Sequence, residues 1–96
     1  MPVSFSSFAD FKRRVKVGMR FRVDNRVRPE ASGERVIKTV QTNALCYWFT
    51  NAKGNMTPGW AYYPKSAKQI LVEGERVSWL ADDGSILWTY HSFEES

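Results

Sequence analysis

Between Val17 and Asp24 the chain alternates more strictly than anywhere else. Val17, Met19, Phe21 and Val23 fall on one side of a period of two, with Gly18, Arg20, Arg22 and Asp24 on the other. Successive side chains of a strand point to opposite faces, so this segment is predicted to turn four apolar groups inward and two arginines outward. Whatever else the chain does, it must build a sheet with a buried face and a basic, solvated one.

The neighbouring segments supply partners for that strand. Upstream, a short helix is expected from about Phe8 to Val15. Ser7 suits the N-cap, Asp10 three residues later is a shorter-armed version of a capping box, and Phe8, Phe11 and Val15 form one apolar stripe. Lys12, Arg13 and Arg14 fall near its C-terminal end, where cations suit the helix dipole. Downstream, Asp24 to Glu34 carries Pro29 and the Ser32-Gly33 pair with few large apolar groups. It is predicted to be a surface-exposed, mobile loop that serves binding. Strands are expected at Arg35–Gln41 and Leu45–Thr50, with a turn at Thr42-Asn43. Asn51–Asn55 reads as a turn, and so does Pro58-Gly59, just before a short strand Trp60–Tyr62 bounded by Pro64. Gln69 to Val72 is a further β-like run.

The last two strands flank Asp82-Asp83-Gly84. A two-residue loop at Asp83-Gly84 would set Trp79 opposite Trp88 and Val77 opposite Tyr90, gathering Val77, Trp79, Ile86, Trp88 and Tyr90 on one face. A three-residue loop with a bulge at Gly84 is the rival, and it would mix apolar and polar residues on both faces. The expected core is Phe8, Phe11, Val17, Met19, Phe21, Val23, Val77, Trp79, Ile86 and Trp88. The fold class is therefore mostly β (α+β by count). An N-terminal helix is followed by a small five- or six-stranded antiparallel barrel or curled sheet of SH3-like or OB-like kind, in a single domain over residues 1–96. About 1–6 and 92–96 are expected to fray.

Fourteen aromatic residues among 96 are a large apolar supply for one small core and argue against disorder. No run is long and apolar enough to span a bilayer, no signal-peptide pattern opens the chain, and Cys46 is the only cysteine, so a cytoplasmic protein without a membrane partner is expected.

Signatures of catalysis are missing: there is no GxSxG, P-loop, HExxH, CxxC or GxGxxG pattern. His91, the only histidine, falls on the polar face of the last hairpin. Cys46 lies among Leu45, Tyr47 and Trp48, where a buried, unreactive thiol is the default and a Cys46–His91 dyad the exception. Asp82-Asp83 is turn chemistry before a glycine. No catalytic residue, metal site or cofactor is expected.

One constellation does point to a function. Residues 1–40 hold ten Lys/Arg against four Asp/Glu, whereas residues 41–96 hold four against six. Arg13, Arg14, Lys16, Arg20, Arg22, Arg26 and Arg28 are predicted to form a basic face, and Trp48, Trp60, Tyr62 and Tyr63 are candidates for exposed rings. Barrels that bind single-stranded nucleic acid combine a cationic groove for phosphates with flat rings for bases. Core filling and an ordinary solvated surface account for many of the same residues. A small non-catalytic binding module is expected, its partner a nucleic acid. The alternative is a protein-binding adaptor or inhibitor that targets an acidic or nucleic-acid-handling protein. Phages and other mobile elements encode small inhibitors of this general character, a comparison of type alone.

Overall fold

The computed structural model describes residues 2–95. The helix α1 spans Phe8–Arg14, and seven strands follow: β1 Arg20–Asn25, β2 Gly33–Val40, β3 Ala44–Thr50, β4 Met56–Tyr62, β5 Ile70–Glu73, β6 Arg76–Leu80 and β7 Ile86–Glu94. They form one antiparallel sheet in the order β4-β3-β2-β1-β7-β6-β5. Two meanders, β1 to β4 and β5 to β7, are therefore joined by the β1–β7 pair.

The mostly-β class with one helix is as expected, but the sheet has seven strands instead of five or six, and it is not closed into a barrel. Its edges, β4 and β5, share no ladder. Side chains bridge the gap: the Trp79 indole N–H donates to the Tyr62 carbonyl at 3.1 Å, and the Tyr63 ring lies against Trp79. The helix packs on β5 and sets Phe8 edge-on to Tyr63. No helix among the described residues is long and apolar enough to cross a membrane.

The Ser7 side chain caps α1 by accepting from the Asp10 N–H, as its position implied. Asp10 in turn accepts from the Ser6 N–H and pairs with Arg13 and Arg14. Strand β1 begins at Arg20, later than the alternation implied, because Gly18 adopts φ +94° and closes a turn in which the Met19 N–H reaches the Lys16 carbonyl. Val17 is consequently 66% exposed and is not part of the core.

From Met19 onward the alternation holds. Met19, Phe21 and Val23 are buried, while Arg20 and Arg22 face solvent. Phe21 lies flat on Phe93, ring centroids 4.9 Å apart, and Tyr90, Tyr47 and Phe11 pack around the pair. Ser92 sits at φ +59° beside a register shift between β1 and β7. That irregularity turns Phe93 inward.

Four further segments depart from expectation. The loop after β1 is shorter than Asp24–Glu34 and is tied down. Asn25 Oδ1 accepts from the Val27 and Arg28 N–H groups, Ser32 Oγ accepts from the Asn25 N–H, and Pro29–Ala31 form a 3-10 turn. Pro58 and Gly59 lie inside β4, not in a turn. An edge strand tolerates a residue without an N–H, and at Gly59 a Cβ would stand 2.8 Å from the Tyr47 ring, so the missing side chain makes room for that ring.

The last hairpin turns through three residues with Gly84 at φ +87°, as the rival reading had it, and Leu80 pairs with Ile86. A second irregularity at Leu87 then restores the expected partners, Trp79↔Trp88 and Val77↔Tyr90. Ile86 falls outside the core cluster as a result. The ends, finally, are packed rather than frayed. Phe5 and Phe93 are buried, and the Val3 N–H donates to the Phe93 carbonyl; Met1 and Ser96 lie outside the described residues.

Phe21 is the residue on which rings of both meanders converge, Tyr47 from one and Tyr90 and Phe93 from the other. Truncation to Ala is expected to cost about 3–5 kcal/mol, most of the margin of a domain this small. Urea unfolding measures the loss, and a midpoint unchanged from wild type would show that the core is organised elsewhere.

Candidate nucleic-acid interface

The outer face of β1–β4 is assembled by register. Arg20 pairs with Val36, Val36 with Trp48, and Trp48 with Pro58, giving a row that crosses four strands on the side away from the core. At about 4.8 Å per strand the row is roughly 14 Å wide. On one side of it lie Arg22, Glu34, Thr50 and Met56; on the other lie Lys38, Cys46, Trp60 and Tyr62. Lys38 sits at a register shift in β2, between Ile37 and Thr39, and places its ammonium 5.3 Å from the centre of the Trp48 ring. Trp60 and Tyr62 stack on each other, centroids 6.0 Å apart and planes 20° from parallel. Their outer surfaces are 44% and 69% exposed, and Met56 beside them is 60% exposed.

Small residues under the rings explain why the rings stand proud. Cys46 is opposite Trp60 and Ala44 opposite Tyr62, and both small side chains are buried. The thiol of Cys46 is thus enclosed, as its apolar neighbours implied. His91 lies on β7, with β1 and β2 between it and β3, so Cys46 and His91 are strands apart and form no dyad. The imidazole instead sets Nε2 3.1 Å from an Asp24 carboxylate oxygen and Nδ1 2.8 Å from Ser92 Oγ.

The seven predicted cations do not form one surface. Arg20 and Arg22 share the outer face, with Glu34 and His91 opposite Arg22 and Glu94 opposite Arg20. Arg13 and Arg14 leave from the helix, on the core side of the sheet. Both pair with Asp10, whose carboxyl is held below the usual range first by the Ser6 N–H and also by these two guanidiniums. Arg14 also reaches the Ser4 carbonyl and lies over the Phe5 ring. Lys16 is exposed in the turn that precedes β1. Arg26 and Arg28 stand at the opposite end of β1 from Arg20, and Arg28 pairs with Glu30.

Of the four aromatic candidates, Trp48, Trp60 and Tyr62 share the outer face with Arg20 and Arg22, and Tyr63 does not. One residue after β4 ends, the chain turns its ring inward against Phe8, Phe11 and Trp79. Sequence reasoning missed Lys38, because the shift that brings it over Trp48 leaves no trace in the local pattern. Comparison with family models, curated proteins and solved structures finds no match to this chain.

Burial pushes the Tyr63 phenol from 10.0 up to about 12, and its hydroxyl has no hydrogen-bond partner. Because the folded value lies above the unfolded one, the associated stability is complete below pH 10 and is lost as pH rises through about 12. Tyr90, raised by burial as well, contributes a decline of the same sign. Tyr63→Phe removes a buried, unpartnered hydroxyl, so it is expected to be at least as stable as wild type at pH 7 and to flatten the alkaline loss. Urea unfolding from pH 7 to pH 11 measures both effects, and a variant with the wild-type alkaline slope would place the Tyr63 hydroxyl in water.

Proposed function

We propose that the chain is a non-catalytic module that binds single-stranded nucleic acid on the outer face of β1–β4. The observation that carries this is the register that sets Arg20, Arg22 and Lys38 beside Trp48, Trp60 and Tyr62 on one solvent-facing surface. A single strand needs cations spaced along its phosphates and planar surfaces on which unpaired bases stack. Trp60 and Tyr62 offer one stacked platform at the β4 edge, Trp48 a second ring at the centre, and the arginines of β1 the phosphate contacts. Glu34 sits within the basic strip and keeps its charge density modest. Stacking therefore carries more of the affinity than it would on an all-basic groove.

The exposed apolar character of the same edge, Met56 with Trp60 and Tyr62, favours a second reading in which a protein docks there. Salt separates the two. Anisotropy of a labelled mixed-sequence single strand is expected to report binding whose affinity falls with ionic strength, by about 0.7 in the log–log slope for each phosphate contact. Arg20→Gln and Arg22→Gln should each lower that slope by about this amount. Trp60→Ala should cost about 1–3 kcal/mol at every salt concentration, the magnitude of one lost base stack. Absence of binding to single-stranded DNA or RNA at low ionic strength would remove the nucleic-acid reading and leave the protein-docking one.

A further inference from the structure

On the inner face, Arg35 occupies a position that alternation would give to an apolar residue. It is paired with Phe21, and its guanidinium lies 5.7 Å from the centre of the Tyr47 ring and 5.2 Å from that of Phe49. Two backbone carbonyls, those of Glu34 and Ala31, accept from its terminal nitrogens. Its Nε–H is buried without a partner, and so is the Trp88 indole N–H. Both residues line one cavity of about 220 Å³, walled by Tyr47, Phe49, Trp60 and Tyr90. No described carboxylate lines it, and among the described residues Arg35 makes no ion pair.

The chemistry of that cavity is one-sided. It is lined by a fixed cation, by two residues that each carry a buried N–H without a partner, and by several ring faces, with no carboxylate in its lining. A cationic ligand is disfavoured because the guanidinium already occupies the ring faces that would hold it. A neutral ring would fill the space but leave both donors unsatisfied. An anion with a planar body answers both demands, since arginine and indole donors suit carboxylate or phosphate oxygens and the walls suit a ring. The volume lies below the ~300 Å³ at which drug-sized sites begin, which limits the ligand to about one ring.

We propose that this cavity binds a small aromatic anion, a single ring bearing a carboxylate or a phosphate, with its oxygens toward Arg35 and Trp88. The cavity shares its Trp60 wall with the proposed nucleic-acid platform, so Arg35→Gln and Arg22→Gln, and not a change at Trp60, tell the two sites apart. Titration of the ¹⁵N-labelled protein with benzoate, phenyl phosphate and benzyl alcohol tests it, followed at the Trp88 indole N–H, which Trp88→Phe assigns. A saturable shift is expected with at least one anion. Benzoate alone would identify the carboxylate class, and phenyl phosphate alone the phosphate esters. Benzyl alcohol should bind at least about tenfold more weakly, Arg35→Gln should weaken the anion by at least about tenfold, and Arg22→Gln should leave it unchanged. Should Arg35→Gln not fold, Arg35→Lys keeps the charge and loses the planar fork, and it too should bind more weakly. No shift up to millimolar anion would overturn the proposal. Equal shifts with benzyl alcohol, or undiminished affinity in a folded Arg35 variant, would do the same.

Discussion

The β1–β7 pair is the joint on which the molecule depends. Among the described residues it is the only ladder between two meanders that otherwise share no strand pairing within the sheet. Its register sets Val23 opposite Tyr90 and Arg22 opposite His91, and the irregularity at Ser92 then allows Phe93 to lie flat on Phe21. A slip of one residue would reverse every side chain of β1, driving Arg20 and Arg22 into the aromatic core and Phe21 into water. Burial of Phe21 between Phe93, Tyr90 and Tyr47 prevents that slip. The outward basic strip is thus a consequence of how the inner face packs.

Much of this was legible from period and turn chemistry, and the exceptions have physical causes. The Ser7 cap and the inward set of β1 from Met19 onward follow from local spacing, whereas the expected Trp79–Trp88 pairing is reached through a different turn and a bulge at Leu87. Val17 fails because the left-handed conformation at Gly18 breaks the strand before it, a feature that a period-two count cannot see. Pro58-Gly59 looks like a turn because nothing local announces that β4 is an edge strand, or that the Tyr47 ring needs the space at Gly59. The open sheet replaces a closed barrel because the β4 and β5 edges are bridged by Tyr63, Trp79 and the helix, which are tertiary contacts with no sequence period. Of the candidate site, alternation alone sends Arg20 and Arg22 outward, while Trp48, Trp60 and Tyr62 stand out in the sequence only as candidate rings together with Tyr63, which faces inward. Lys38 and Arg35 could not be named in advance. One depends on a register shift, and the other is a cation on an apolar face.

The two faces of the sheet divide the chemistry cleanly. Outward, the cations lie beside rings that stand free, and the acids Glu34, Asp24 and Glu94 are interspersed among them. Inward, the Arg35 guanidinium lies against the Tyr47 and Phe49 rings and, among the described residues, makes no ion pair. The tryptophans are divided in the same way: the pairing that buries Trp79 and packs Trp88 beside it is independent of the pairing that exposes Trp60 and places Trp48 beneath Lys38. Trp48 therefore reports on the outer face and Trp79 and Trp88 on the inner packing, while Trp60, which also walls the Arg35 cavity, borders both.

That division allows the proposed function to be tested at the level of residues. In ¹H–¹⁵N spectra of the protein titrated with a mixed-sequence single-stranded oligonucleotide, the indole signals of Trp48 and Trp60 are expected to move together and saturate. Those of Trp79 and Trp88 should stay in place. Movement confined to Trp79 and Trp88, or no movement at low ionic strength, would contradict an outer-face nucleic-acid interface.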